Sequence, residues 1–189
     1  MLIDSHSHIM PPDFKSRRAD ICKLDLTFAE LFSSNDPKFA AVEDLLISME
    51  KSNINKSVIM GVGWTDIDIA TEANRYIVEL VNTHPDKLIG FCSVNPMWGR
   101  KAVDEIEACH SMGLKGIGEL HPDTQNFDIS THTENNDSFR LRSFRSMPRT
   151  YSQFSAFNSR IQTVQDGRKT RFSTKNLSRD LVLPAFRIS

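Results

Sequence analysis

Several features that would mark particular protein classes are scarce in this sequence. Of its 189 residues only three are cysteines, with no CxxC or CxxxC spacing, which excludes a disulfide-dense mini-protein and favours reduced thiols. No apolar run approaches the ~18–20 residues of a membrane span. The opening letters MLIDSHSH have neither the basic nor the apolar region of a signal peptide. We therefore expect a cytoplasmic protein without membrane association.

The composition divides the chain into two parts. Hydrophobic residues make up 39% of the whole and charged residues 25%, which suits a globular core rather than general disorder. Residues 1–128 contain 12 basic and 20 acidic side chains, whereas residues 129–189 contain 11 basic and 4 acidic ones. Glycine falls from 7 to 1 between the same two parts. We predict one folded unit over residues 1–129 and an irregular, Arg/Ser-rich tail over residues 130–189.

The first part alternates between short apolar runs and amphipathic segments. Apolar strands are predicted to begin near residues 2, 57, 88 and 115, and the fourth reads LKGIGEL over 114–120. Between successive strands, apolar residues recur at the three- and four-residue intervals of a helix. The last two distances between strand starts are roughly 30 residues, the size of a βα unit. Strands that alternate with helices indicate a parallel sheet with helical cover, and hence the α/β class.

Two α/β architectures compete at this point, a doubly wound open sheet and a (β/α)8 barrel. No G-x-G-x-x-G or G-x-x-x-x-G-K-[ST] motif follows any predicted strand, which weakens the nucleotide-binding form of the open sheet. Polar residues instead follow the apolar part of the first and fourth strands. In a barrel, that end of the strands is the catalytic rim.

His6 and His8 are the first candidates for chemistry. They are two residues apart on a predicted strand, so both imidazoles point to one face at the strand tip. Two converging imidazoles form a natural half of a site for Zn²⁺ or a similar divalent ion. The alternative is a pair of surface histidines without a ligand.

Glu119 and His121 repeat this spacing on the predicted fourth strand. A carboxylate after an apolar run needs a partner, and a metal ion would supply one; hydrogen bonds from backbone amides are the alternative. His121 either binds substrate or caps the strand end.

The blocks LIDSHSH, SVIMGV, GFCSVNP and GLKGIGELHPD follow one another in the first 129 residues. Together they resemble the amidohydrolase-related metal-dependent enzymes, a TIM-barrel group that includes the aminocarboxymuconate-semialdehyde-type decarboxylases. The resemblance implies that His6 and His8 are metal ligands. Gly118-Glu119 is similar to the strand-four Glu of TatD-type metal-dependent nucleases, which makes Glu119 a candidate third ligand.

The resemblance also implies an activity. A divalent metal, zinc in our expectation, would polarise a small carbonyl- or carboxyl-containing substrate and activate a water, or assist the loss of CO₂. The predicted function is therefore that of a metal-dependent hydrolase or carbon-carbon lyase acting on a small molecule. The alternatives are a TatD-like nuclease and a non-catalytic fragment whose basic tail binds nucleic acid.

The length of the chain departs from this family pattern. A complete barrel needs about 250 residues, and four units already occupy 129 here, so we predict the N-terminal half of a barrel. The tail lacks sustained periodicity, and an out-of-frame segment and a basic, partly disordered arm are the two hypotheses for it. A half barrel exposes a sheet edge, which predicts self-association or a homo-oligomer and little activity.

Overall fold

The computed structural model describes residues 2–34 and 37–127. The proposed boundary near residue 129 and the tail over residues 130–189 lie outside the described residues, so both remain predictions. Within the described part, the elements alternate in chain order between strands and helices. They are β1 (Ile3–His8), a 3-10 turn (Pro12–Lys15), α1 (Arg18–Leu24), α2 (Leu26–Phe32), α3 (Val42–Lys51), β2 (Lys56–Met60), α4 (Ile67–Thr83), β3 (Leu88–Cys92), a second 3-10 turn (Pro96–Trp98), α5 (Arg100–Ser111), β4 (Gly116–Ile117) and α6 (Pro122–Gln125).

The four strands form one parallel sheet in the order β1-β2-β3-β4. Spatial order therefore equals chain order, whereas a doubly wound sheet reverses direction at a switch point. The predicted α/β class is confirmed, and the sheet is wound in one direction, as in the first four units of a (β/α)8 barrel. Of the two architectures that the sequence left open, the structure selects the half barrel.

The two faces of the sheet carry different side chains. Val58, Met60 and Phe91 are buried together on one face, with Ile3 and Ile89 packed against them. This alternation follows from the two-residue period of a strand. On the other face, Gly90 lets α4 approach closely: a Cβ there would lie 2.8 Å from Ile77 of α4, and 2.5 Å from Leu114, which precedes β4. Helix α4 thus packs directly against the middle of the sheet.

Residues 12–32, which show no clear pattern in the sequence, form the first 3-10 turn, α1 and α2. Their aromatic side chains pack against the loop that follows β2: the rings of Phe14 and Phe28 lie 5.9 and 6.0 Å from that of Trp64, and all three are fully buried. We call residues 9–34 the cover segment. Asp25 attaches the cover segment to the loop after β2. Its buried carboxylate accepts hydrogen bonds from the backbone N–H groups of Phe28, Thr65 and Asp66 at 2.8, 2.7 and 2.9 Å.

The fourth strand is shorter than expected. The sequence predicts a strand over 114–120, but β4 contains only Gly116 and Ile117. After Ile117 the chain turns towards the preceding strand end, where the Ser93 hydroxyl donates to the Gly118 carbonyl at 2.6 Å. The expectation that Glu119 and His121 lie on a strand is therefore wrong. The pairing of β4 with β3 ends before Glu119, where Ser93, just beyond β3, bonds Gly118. Among the described residues, no helix has the length and apolar character needed to cross a membrane.

Candidate metal centre

His6 and His8 occupy the last part of β1, at the carboxyl edge of the sheet. Because they are two residues apart on a strand, their rings share a face, and their Nε2 atoms lie 2.8 Å from each other. The rings meet edge to face with centroids 4.6 Å apart. The geometry that the H-x-H spacing predicts is thus present.

Glu119 joins the two histidines although it lies beyond the end of β4. One carboxylate oxygen lies 3.4 Å from His8 Nε2 and the other lies 4.0 Å from His6 Nε2. The three side chains are partly exposed, with 17%, 35% and 20% of the side-chain surface accessible for His6, His8 and Glu119. The structure therefore brings together all three side chains for which the sequence suggested a metal, in a group whose ligand atoms lie within 4.8 Å of one another.

The hydrogen bonds of His8 define which of its nitrogens faces this group. Its Nδ1 lies 2.9 Å from the carbonyl oxygen of Gly61, which can only accept, so Nδ1 carries a proton. In the neutral ring, Nε2 then presents a lone pair to His6 and Glu119. A carbonyl that holds the far nitrogen of a histidine is the usual support of a metal-binding imidazole.

Three ligand-type atoms thus converge, and a cation bound by them would take the place of the proton that the 2.8 Å contact between the two Nε2 atoms otherwise needs. Two nitrogens bonded to one tetrahedral zinc ion at about 2.0–2.1 Å are themselves about 3.3 Å apart, about half an ångström more than the 2.8 Å between the two Nε2 atoms. Among the described residues, no lysine or arginine forms an ion pair with Glu119. The donor set of two imidazoles and one carboxylate fits a divalent cation.

Asp4 does not support the imidazoles directly. Its carboxylate accepts from the backbone N–H of His6 at 3.2 Å and from the Ser7 hydroxyl at 2.9 Å. His6 Nδ1 is buried and has no hydrogen-bond partner within residues 2–34 and 37–127. Asp4 therefore shapes the backbone of β1 where it carries the histidines, and the His6 ring contacts that of His8.

His121 lies outside the three-residue group. Its backbone N–H donates to the Gln125 side chain at 2.9 Å, and its ring Nδ1 lies 3.0 Å from the Thr124 hydroxyl. Gln125, which is 2% exposed, also donates to the carbonyls of Trp64 and Val94 at 2.8 and 3.2 Å. This one amide joins the loops that follow β2, β3 and β4. No sequence pattern singles out Gln125, because its partners are distant along the chain.

A second group of ligand-type side chains, Cys92, Glu105 and Cys109, lies buried between β3 and the helices. Its charge balance differs from that of the first group. The Arg75 guanidinium bonds both oxygens of Glu105 at 3.1 and 3.0 Å and approaches Cys109 Sγ at 3.5 Å. A protein cation thus already balances the charge of Glu105, and we assign this group to core packing. Both cysteines are free thiols and are buried.

Together the fold and the site define a parallel β/α protein with two histidines and a carboxylate converging at the carboxyl edge of its sheet. A comparison with protein-family models finds no match, and neither does a comparison with curated protein sequences. Solved structures to which the chain is similar include proteins named as a decarboxylase, a hydratase and an amidohydrolase.

Three of these structures give the extent of the similarity. The 5-carboxyvanillate decarboxylase of Sphingomonas paucimobilis is 16% identical with a TM-score of 0.49, over 61% of this chain and 41% of that one. The 4-oxalomesaconate hydratase of Rhodopseudomonas palustris is 21% identical with a TM-score of 0.44, over 62% of this chain and 41% of that one. The dihydroxybenzoic acid decarboxylase of a Polaromonas species, which holds manganese, is 18% identical with a TM-score of 0.40, over 61% of this chain and 37% of that one. The chain spans about two-fifths of the length of these proteins.

Proposed function

We propose that His6, His8 and Glu119 hold one divalent metal ion, and that the described residues are the N-terminal half of a metal-dependent hydrolase or carbon-carbon lyase. The observation that carries this proposal is the convergence of two imidazole nitrogens and a carboxylate at the carboxyl edge of a parallel sheet. That edge is where barrel enzymes place their chemistry. The H-x-H motif and its resemblance to the amidohydrolase-related enzymes support the same assignment.

The metal would act as a Lewis acid on a carbonyl or carboxyl group of a small substrate. A set of two nitrogens and one oxygen suits zinc, which we propose, and also manganese. The protein's own part is to hold the ligands: the Gly61 carbonyl orients His8, and the charge of Glu119 offsets that of the cation. His121, beyond β4 on the same edge, is proposed to contact the substrate.

Metal binding is tested by equilibrium dialysis of the 189-residue chain against zinc, with the metal measured by atomic emission. We expect one tightly held ion in the wild type and loss of that ion when His6→Ala and His8→Ala are combined. The matched control is His84→Ala combined with His110→Ala, which removes two histidines that lie away from the site. Equal metal content in the two double variants would contradict the ligand assignment.

Activity is a separate matter, because three protein ligands come from the described residues and the later strands of a barrel would supply others. We propose that this chain turns over small carbonyl substrates weakly or not at all, in keeping with a half barrel that self-associates. A zinc-loaded monomer with clear hydrolytic or decarboxylating turnover would refute this.

A TatD-like nuclease and a tail that binds nucleic acid are the two alternative functions. Cleavage of single-stranded DNA by the zinc-loaded chain would favour the nuclease.

A further inference from the structure

A line of hydrogen bonds connects the cover segment to the ring of His121. The Thr27 hydroxyl, on α2, lies 2.6 Å from the carbonyl oxygen of Gly63, in the loop after β2. The same hydroxyl contacts the hydroxyl of Thr124, on α6. Thr124 Oγ1 in turn lies 3.0 Å from His121 Nδ1. Four groups from three separate parts of the chain are thus joined by three successive contacts.

The number of protons available to these contacts determines their direction. Each of the three contacts needs one proton, since two oxygens or an oxygen and a nitrogen this close repel each other without one. The carbonyl of Gly63 can supply none, and the two hydroxyls supply one each. The third proton must come from the imidazole. Thr27 therefore donates to Gly63, Thr124 donates to Thr27, and His121 Nδ1–H donates to Thr124.

One other contact competes for the Thr124 proton. Its hydroxyl also lies 3.4 Å from the carbonyl oxygen of His121, which is longer than an ordinary O–H···O hydrogen bond of about 2.7–2.8 Å. Using the proton there would leave the contact between the two threonines without one. Thr124 therefore donates its proton to Thr27, and the direction of the three hydrogen bonds stays the same.

From this direction we infer that Thr27 and Thr124 are positioning residues that fix the neutral ring of His121 with its proton on Nδ1, leaving Nε2 as a hydrogen-bond acceptor. Among the described residues none bonds Nε2. The ring therefore presents a lone pair to a ligand that carries a hydroxyl or another hydrogen-bond donor. The part of this inference that concerns a ligand rests on the proposed function, whereas the position of the ring proton does not.

This arrangement gives the cover segment an influence on a residue that it does not touch. Thr27 bonds Thr124 and Gly63 but makes no hydrogen bond with His121. If Thr27 loses its hydroxyl, Thr124 is free to donate to Nδ1, and the ring can hold its proton on Nε2 instead. A residue on α2 would then decide whether His121 accepts or donates at the rim.

The test is a long-range ¹H–¹⁵N spectrum of the histidine rings in the uniformly labelled full chain, recorded in EDTA at about pH 8.5, where an ordinary histidine is neutral. The two ring nitrogens differ strongly in shift according to which one carries the proton. We expect His121, assigned from its absence in His121→Gln, to show Nδ1–H as its main form. A main form with the proton on Nε2 would overturn the inference without any variant. Because metal is excluded, the result is independent of the metal proposal.

Variants then ask whether the two threonines cause this preference. Thr124→Val and Thr27→Val should each change the tautomer ratio of His121 by about fivefold or more, the size expected from one net hydrogen bond. Thr124→Ser and Thr27→Ser should restore the wild-type spectrum. Thr83→Val is the matched control, since the Thr83 hydroxyl bonds the Glu79 carbonyl of its own helix. If the two threonines only stabilise the fold, the valine variants will be less stable but the ring shifts of His121 will be unchanged. That outcome would also overturn the inference.

Discussion

His121 occupies the space next to Gly63 in which a side chain would have to lie. A Cβ on Gly63 would be 2.5 Å from both Cβ and the backbone nitrogen of His121, closer than real atoms approach. The loop after β2 and the loop after β4 are therefore in backbone contact at the edge that carries the candidate site. The same loop contains Gly61, whose carbonyl orients His8. Changes at Gly63 should thus affect both the metal centre and His121.

Gly63→Ala is the first prediction that follows. The added methyl group meets backbone rather than a flexible side chain, so the loop after β4 must shift, and we expect stability to fall by about 2 kcal/mol. Because Glu119 lies in the displaced loop, zinc affinity should fall as well. Gly90→Ala is the matched control: it clashes with Leu114 and Ile77 in the core, and should lower stability while leaving zinc affinity unchanged. Urea unfolding and zinc titration measure the two effects, and equal zinc affinity in both variants would contradict this prediction.

Glu119→Gln tests the carboxylate separately from the histidines. The amide keeps the shape of the side chain but removes the negative charge that faces His6 and His8. We expect zinc affinity to fall at least about tenfold. Isothermal titration measures the affinity, and Glu79→Gln, on the exposed side of α4, should leave it unchanged. A fall in both variants would point to a general effect of charge instead of a ligand.

Asp25 is expected to be the main polar anchor of the cover segment. In Asp25→Ala three backbone N–H groups lose the carboxylate that accepts them, and the free energy of unfolding should fall by about 3 kcal/mol. Asp20→Ala, an exposed carboxylate paired with Lys23, should change stability little. Limited proteolysis should cut residues 9–34 first in the Asp25 variant. Cleavage at the same rate in both variants would show that aromatic packing alone holds the cover segment.

The buried thiol of Cys92 predicts a dependence of stability on pH. A hydrogen bond with Cys109 and burial raise the pKa of this thiol well above its ordinary value. As the pH rises, the unfolded chain loses the proton first, near pH 8.5, and from there the folded state binds more protons than the unfolded state. The stability from this group is therefore constant below about pH 8.5 and declines above it.

Urea unfolding between about pH 7 and pH 10 measures this decline. Cys92→Ala should reduce the slope of the free energy of unfolding against pH in the alkaline range, although the lost packing lowers its stability at every pH. Cys22→Ala is the control, because this thiol is only partly buried. An unchanged alkaline slope in Cys92→Ala would contradict the prediction.

Local patterns in the sequence predict much of this fold. Apolar runs and helical spacing place β2, α4, β3 and α5 within a few residues of where they lie, because each element buries one face and its period shows in the chain. The i, i+2 spacing of His6 and His8 likewise predicts their shared face, since successive side chains on a strand alternate. Such features depend on neighbouring residues only.

The tertiary structure decided what depends on distant residues. The winding direction of the sheet, the early end of β4 and the helices of the cover segment all follow from contacts across the chain. Glu119 meets the histidines through the path of a loop and not through the strand spacing that the sequence suggested. In the same way, no local pattern identifies Gln125 or the two threonines beside His121. Hydrogen bonds between segments about 30 to 100 residues apart position these side chains, and their partners exist only once the sheet has brought its loops to one edge.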